Sequence, residues 1–315
     1  MNASKPRRGG SRQDSGRISL AKTSIVSPEQ VKQLRSKRGL RPVPTSENRG
    51  MLVVFFSAHG GTGSTTLATN VGAIHAAAGR PTCMVDFDLQ FGHVLTHLGL
   101  HGHRPLSHFA GLMQGEDDEM ATATFPRHHS GLCALSQVGH MEELGQLDAQ
   151  IIEGLVNKLT NSFELTIIDG IRDFSDHALA VLDRADRIVL VATQDVPAIR
   201  GVQMRLKILR QLNYDTSKVM LVLNRYSKGN QVTLSAIEEA LGIAPSMTIV
   251  NDFKRVHGAI NGGQLLAEVS RTAPVTRQVE RLAQLFLVAD APIPAPRSAR
   301  GKDRSLWSRI VRRHK

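Results

Sequence analysis

Between residues 57 and 66 the chain reads Ser57-Ala58-His59-Gly60-Gly61-Thr62-Gly63-Ser64-Thr65-Thr66. Glycines beside hydroxyl residues suit anion chemistry. Gly60, Gly61 and Gly63 free the backbone to turn several N–H groups onto one phosphate, and a helix opening at the end of the run would add its positive dipole. Thr62, Ser64 and Thr66 add hydroxyl donors, and Thr65 takes the position that faces a magnesium ion. In the usual phosphate loop a lysine precedes that position. Ser64 stands there instead, and a serine neither reaches the β- and γ-phosphates nor carries a charge. A tight strand-to-helix turn with no ligand is the plainer reading of the same residues.

Two carboxylate signals follow in chain order. In Asp86-Phe87-Asp88-Leu89-Gln90-Phe91-Gly92 the acids emerge at the end of an apolar run. If the strand continues, Asp86 and Asp88 share one side, where they can hold magnesium-bound water or orient an attacking water. Leu165-Thr166-Ile167-Ile168-Asp169 is a buried strand ending in a carboxylate, the physical form of a Walker-B element. Each Asp also suits a helix cap or a loop, and Asp169-Gly170 alone signals only a turn.

The elements that must position these groups alternate along the chain. Apolar runs at 51–56, 82–85, 165–168, 187–192, 219–223 and 247–250 predict strands. Helical periodicity or propensity covers 65–78, 147–159, 175–182, 197–212, 233–241 and 275–288. Short apolar strands separated by helices specify crossover units, hence an α/β domain: a largely parallel sheet with helices on both faces, spanning residues 51–291. Residues 91–134 give no clear pattern. His101, His103, His108, His128 and His129 fall there without metal-ligand spacing and read as solvated loop histidines.

Charge divides the chain differently. Of a net +11, residues 1–50 carry +9 (12 Lys/Arg, 3 Asp/Glu) and residues 292–315 carry +7 (8 and 1), which leaves the body at −5. Any polyanion contact therefore starts at two arms. The first, 1–50, reads as flexible and basic, with a short helix expected after Pro28. After a Pro-rich spacer, residues 305–315 place Leu306 with Ile310 and Trp307 with Val311 four apart, beside arginines. This is either a small amphipathic helix able to lie on an anionic membrane or a disordered basic tail. Two cysteines, Cys83 and Cys133, exclude a disulfide framework and fit a reducing compartment. No signal-peptide core and no apolar run of membrane-spanning length are expected.

These residues carry a resemblance. Over about 240 residues the chain resembles the deviant Walker-A ATPases of the MinD/ParA superfamily, nearest to the CpaE/TadZ branch of Flp/Tad pilus assembly. The branch-like segments are 86–92, Ser130-Gly131-Leu132, 185–191, Leu223-Asn224-Arg225-Tyr226, 234–242, Asn251-Asp252 and 259–263. The resemblance implies a P-loop NTPase fold and ATP or ADP with Mg sandwiched in a homodimer. It implies Thr65 on magnesium, Asp86 in water activation, Asp169 as Walker-B support with Asp88 beside it, and Asn224 at the adenine edge. The family's two lysines fall on His59 and Ser64, so slow or absent hydrolysis is expected. The receiver-like domain often preceding this branch is not expected in 50 polar residues.

The function expected is that of a localisation or assembly factor for a Flp/Tad-type pilus or secretion machine, with weak or vestigial nucleotide binding. It would act in the cytoplasm, peripheral to the inner membrane or cell pole, with pilus or secretion assembly proteins as partners. Three alternatives stay open: an active Mg-dependent ATPase with compensating residues, a ParA-like nonspecific DNA binder using the arms, and an α/β scaffold that binds no nucleotide. Contact with nonspecific DNA ranks below contact with an anionic membrane.

Overall fold

A computed structural model describes residues 49–112 and 122–287. The two basic arms, with the helix expected after Pro28 and with Leu306, Trp307, Ile310 and Val311, lie outside the described residues. In chain order the elements are β1 (Met51–Ser57), α1 (Ser64–Ala77), β2 (Thr82–Asp86), α2 (Val94–His97), α3 (Leu106–Leu112), β3 (Cys133–Leu135), α4 (Ala149–Ser162), β4 (Leu165–Ile171), α5 (Asp176–Leu182), β5 (Arg187–Thr193), α6 (Val196–Gln211), β6 (Val219–Tyr226), α7 (Leu234–Leu241), β7 (Met247–Val250), α8 (Phe253–Asn261), α9 (Leu266–Val269) and α10 (Pro274–Gln284). The strands form one sheet in the order β3-β2-β4-β1-β5-β6-β7. Every pairing is parallel.

The central strand shows why an unbroken apolar run belongs there. β1 lies between β4 and β5, and Leu52 to Phe56 are all fully buried, so both of its faces need apolar side chains. Val53 and Phe55 join the core on the side of α1 and α10, where the Phe55 and Phe286 rings meet at 6.4 Å. Successive strand residues face opposite ways. Phe56 accordingly packs on Phe174 at 5.3 Å, beneath the Arg205 guanidinium of α6 at 4.9 Å. Helices thus cover both faces.

Helix starts follow their caps. Asp148, Ser175, Asp195, Thr233 and Asp252 each accept an amide of the turn they open. The Asp148 cap is why α4 begins at Ala149 rather than at Leu147. α1 is buried on several sides, and its polar residues are spent on neighbours: Asn70 Oδ1 accepts the Leu266 amide at 2.8 Å, and His75 Nε2 lies 3.0 Å from the Ala283 carbonyl oxygen. α10 stops at Gln284, short of the expected end.

Three further expectations are corrected. β2 ends at Asp86, because its carboxylate accepts the Asp88 amide at 3.2 Å and turns the chain, so the two acids do not share a strand face. The pattern-poor stretch contains α2, α3 and β3, each too short to show a period. His128 is not solvated: it is 4% exposed, inside a tight hairpin that leads into β3.

Candidate functional site

At the carboxyl ends of β1, β2 and β4 the chain leaves a cleft of about 410 Å³, the place where open parallel sheets bind ligands. Its floor is the loop from Ser57 to Ser64. Gly61 (φ 80°) and Gly63 (φ 85°) are left-handed, which glycine adopts without penalty. A Cβ on Gly63 would stand 2.3 Å from Asn224 Nδ2. That amide donates to the Thr62 carbonyl at 2.8 Å and pins the loop to β6.

Among the described residues no amide from Gly60 to Thr66 donates a hydrogen bond, whereas Leu67, the next residue, donates to the Gly63 carbonyl at 3.1 Å. Thr62 is 1% exposed, and its Oγ1 has no partner. Buried polar groups are seldom left unpaired. A row of free N–H groups at a helix start, around an unpaired buried hydroxyl, is chemically an anion cradle.

The hydroxyls beyond it face a carboxylate. Ser64 Oγ and Thr65 Oγ1 each donate to Asp169, one to either oxygen, both at 2.5 Å. Burial raises the Asp169 pKa, against the opposing pull of these two hydrogen bonds and the Gly170 amide. Asp86, next to Asp169 across the β2/β4 pairing, is 1% exposed. Burial pushes its pKa up to about 8, helped by the charges of Asp169 and Asp88 and opposed by the Val94 and Asp88 amides. Two glycines make this packing feasible: a Cβ on Gly92 would meet the Asp86 carboxyl at 2.1 Å, and one on Gly170 (φ 97°) would meet the Asp88 amide nitrogen at 2.4 Å. Asp88 is paired with Arg172.

Among the described residues no lysine lines the cleft, and its fixed cations are Arg172, Arg205 and Arg225. Arg205 reaches in from α6, donating to the carbonyls of Gly201 and Arg172 at 3.2 Å, with its Nε buried and unpaired. Desolvation lowers its pKa, but a guanidinium starts so high that it stays charged. α6 comes this close because residue 201 is glycine: a Cβ there would lie 2.6 Å from the Ala58 carbonyl oxygen. His59 sits at the rim, its Nδ1 donating to the Gly60 carbonyl at 2.6 Å and its Nε2 lying 3.9 Å from Asp195. His97 lines the cleft as a neutral ring, its pKa lowered to about 4 by burial and by His93.

The structure therefore brings together His59, Gly60 to Thr66, Asp86, Asp88 and Asp169 in one cleft. Asn224 stands behind the loop, 9% exposed. It borders a smaller cavity of about 80 Å³ with Gly63, Phe253 and His257. Arg205, Arg172 and Gly201 carry no sequence signal, and Arg225, Gly92 and Gly170 stand in the sequence only as parts of motifs. Arg205 lies 146 residues beyond His59 in an ordinary amphipathic helix, so nothing local marks it.

For a magnesium nucleotide the donors fit in kind. Free amides and the Thr62 hydroxyl match phosphate oxygens, while Thr65 and Asp169 offer oxygens of the kind magnesium takes, and Asp86 can join them only on losing the proton that burial keeps on it. Among the described residues the set holds no lysine.

A parallel sheet with a glycine loop leading from its central strand into a helix, and with carboxylates on the adjoining strand ends, defines the P-loop NTPase class. A family model, the CobQ/CobB/MinD/ParA nucleotide binding domain, matches residues 53–281, and the chain belongs to that family. It is 23% identical over 251 residues to the septum site-determining protein MinD of Thermotoga maritima, covering 78% of this chain and 90% of that protein. Among solved structures it resembles a ParA family ATPase from Chlorobium tepidum (TM-score 0.70, 19% identity, 74% of this chain and 98% of the other). It also resembles MinD of Pyrococcus horikoshii complexed with Mg-ADP (TM-score 0.63, 16% identity, 75% and 95%). At these identities the structural likeness is one of fold.

Proposed function

We propose that this chain is a nucleotide-responsive positioning or assembly factor of the CpaE/TadZ kind, serving a Flp/Tad-type pilus or secretion machine. It binds ATP or ADP with magnesium weakly and turns it over slowly or not at all. The carrying observation is the run of unengaged amides from Gly60 to Thr66 around the unpaired Thr62 hydroxyl. Thr65 and Asp169 would hold magnesium, which would screen phosphate charge when bound, with Asp86 beside them. The chain's own part is to orient: Gly61 and Gly63 aim the amides, Asn224 fixes the loop, and Asp169 holds the Ser64 and Thr65 hydroxyls.

Weak turnover is supported by what occupies the position of the second family lysine. Ser64 is spent on Asp169, and His59 at the other position is a rim imidazole bonded to its own loop. Transition-state charge on a phosphoryl group would go largely unmatched. The family lysine positions, the homodimer, the pole or membrane address of the arms and the pilus partners rest on the resemblance. The titration of Mg-ATP and Mg-ADP into the parent and into Gly63→Arg tests the binding: saturable heat is expected in the parent only, and none at millimolar nucleotide sinks the reading.

Arg205 favours a second reading, an active ATPase with a compensating cation, because it brings a fixed charge with a spare N–H to the same cleft. Phosphate release that disappears in Asp86→Ala would support it, and equal rates in both proteins would dismiss it.

A further inference from the structure

On another part of the molecule, two histidines and a glutamate converge without any role in the phosphate cleft. His128 and His129 lie at the tip of the hairpin that leads into β3, and Glu268 belongs to α9. One ligating atom from each of the three lies within 4.8 Å of the others. The two imidazole rings are 3.9 Å apart, and His129 Nε2 is 2.5 Å from Glu268 Oε1. We propose that His128, His129 and Glu268 form a site for one borderline transition-metal dication of the zinc class, strapping the hairpin before β3 to α9.

The neighbouring groups supply part of the support such a site needs, and the direct His129–Glu268 hydrogen bond opens to admit the ion. A ligating imidazole ordinarily binds through one nitrogen while the other is held by a hydrogen bond. His128 Nδ1 accepts the Ser130 amide at 3.2 Å and lies 2.9 Å from Ser130 Oγ, so binding through Nε2, which has no protein partner among the described residues, takes the tautomer whose Nδ1 proton turns to Ser130 Oγ. Glu268 follows the same pattern: Oε2 accepts the Leu265 amide at 2.7 Å, which leaves Oε1 on the histidine side.

Both segments are anchored independently of any ion. The hairpin closes through the His128 amide on the Leu132 carbonyl at 2.9 Å and the Gly131 amide on the His128 carbonyl at 2.8 Å, with Gly131 at φ 92°. α9 is tied to α1 through Asn70. Pre-organised ligands lose little freedom on binding.

Donor chemistry selects the ion. Two imidazole nitrogens and one carboxylate oxygen suit zinc, cobalt or nickel, whereas magnesium and calcium demand oxygen ligands. His129 is largely exposed, so the remaining coordination positions face water. Adjacent ligands in a hairpin, with the third 139 residues away, form no sequence signature, which is why spacing alone argued against a metal.

The test uses the chelator-stripped full chain, titrated calorimetrically with zinc chloride and spectroscopically with cobalt chloride. One equivalent should bind, with a visible cobalt band. His129→Ala and Glu268→Gln should each weaken zinc at least tenfold and abolish that band, as loss of one ligand of three requires. Both side chains reach solvent, and the glutamine side chain would keep an acceptor for the Leu265 amide, so the fold, checked by circular dichroism, should persist. Asp169→Asn should leave zinc affinity unchanged. Absence of saturable binding overturns the proposal, and so does parent-like affinity in both strap variants or displacement of zinc by excess magnesium.

Discussion

Replacing Asp86 by asparagine should change how stability depends on pH more than it changes stability itself. In the folded chain burial lifts the Asp86 carboxyl from an ordinary 3.8 to about 8. The folded state then holds a proton that the unfolded state releases, so stability falls as pH rises through that window. At 1.36 kcal/mol per pH unit the full span amounts to roughly 6 kcal/mol, an order-of-magnitude figure for a buried group. Histidines complicate the acidic half: the pKa values of His75, His97, His103 and His128 are lowered in the fold. Their contribution rises with pH and is complete a little above their unfolded value near 6.5. The clean interval is therefore about pH 7 to 8, below the region where the raised thiols of Cys83 and Cys133 enter. Over that interval Asp86 should remove about 1 kcal/mol, or about 2–4 °C in melting temperature for a domain of this size. The asparagine side chain would keep an acceptor for the Val94 amide but turn its NH2 toward the Asp88 amide, a penalty of about 1 kcal/mol that does not vary with pH. Urea denaturation at pH 7.0, 7.5 and 8.0 should show the parent weakening more steeply than D86N, in which the raised Asp169 carboxyl is left to titrate. Parallel pH slopes for the two proteins would refute a protonated Asp86 at neutral pH.

Four other outcomes are expected. Gly63→Ala should destabilise by about 1–3 kcal/mol, from its positive φ and the clash with the Asn224 amide, whereas Gly60→Ala, whose Cβ meets nothing within 4 Å, should stay within about 0.5 kcal/mol in the same urea assay. Gly201→Val should cost about 2 kcal/mol or more by forcing α6 off the Ala58 carbonyl, read as a lower urea midpoint. Arg205→Ala should weaken Mg-ATP binding on the order of tenfold by removing a fixed cation from the cleft, measured by titration calorimetry. Ser64→Lys should have the opposite effect, tightening Mg-ATP binding on the order of tenfold; unchanged affinity would mean that the missing charge does not limit binding.

The sequence by itself determined the layered α/β architecture and the place of the loop. An all-apolar run such as Leu52 to Phe56 can be stable only with both faces covered, and Gly61 and Gly63 mark a backbone that must turn left-handed. Those are local constraints, carried by neighbours in the chain. What the tertiary structure decided is which side chains meet. Asp86 became the proton-holding partner of Asp169 because β2 and β4 pair in that register, and Arg205 entered the cleft because Gly201 lets a helix approach the loop. His129 found Glu268 for the same kind of reason. Such contacts join residues far apart in the chain, through packing that no local period encodes, whereas strand, helix and turn propensities act over a few residues and can be read directly.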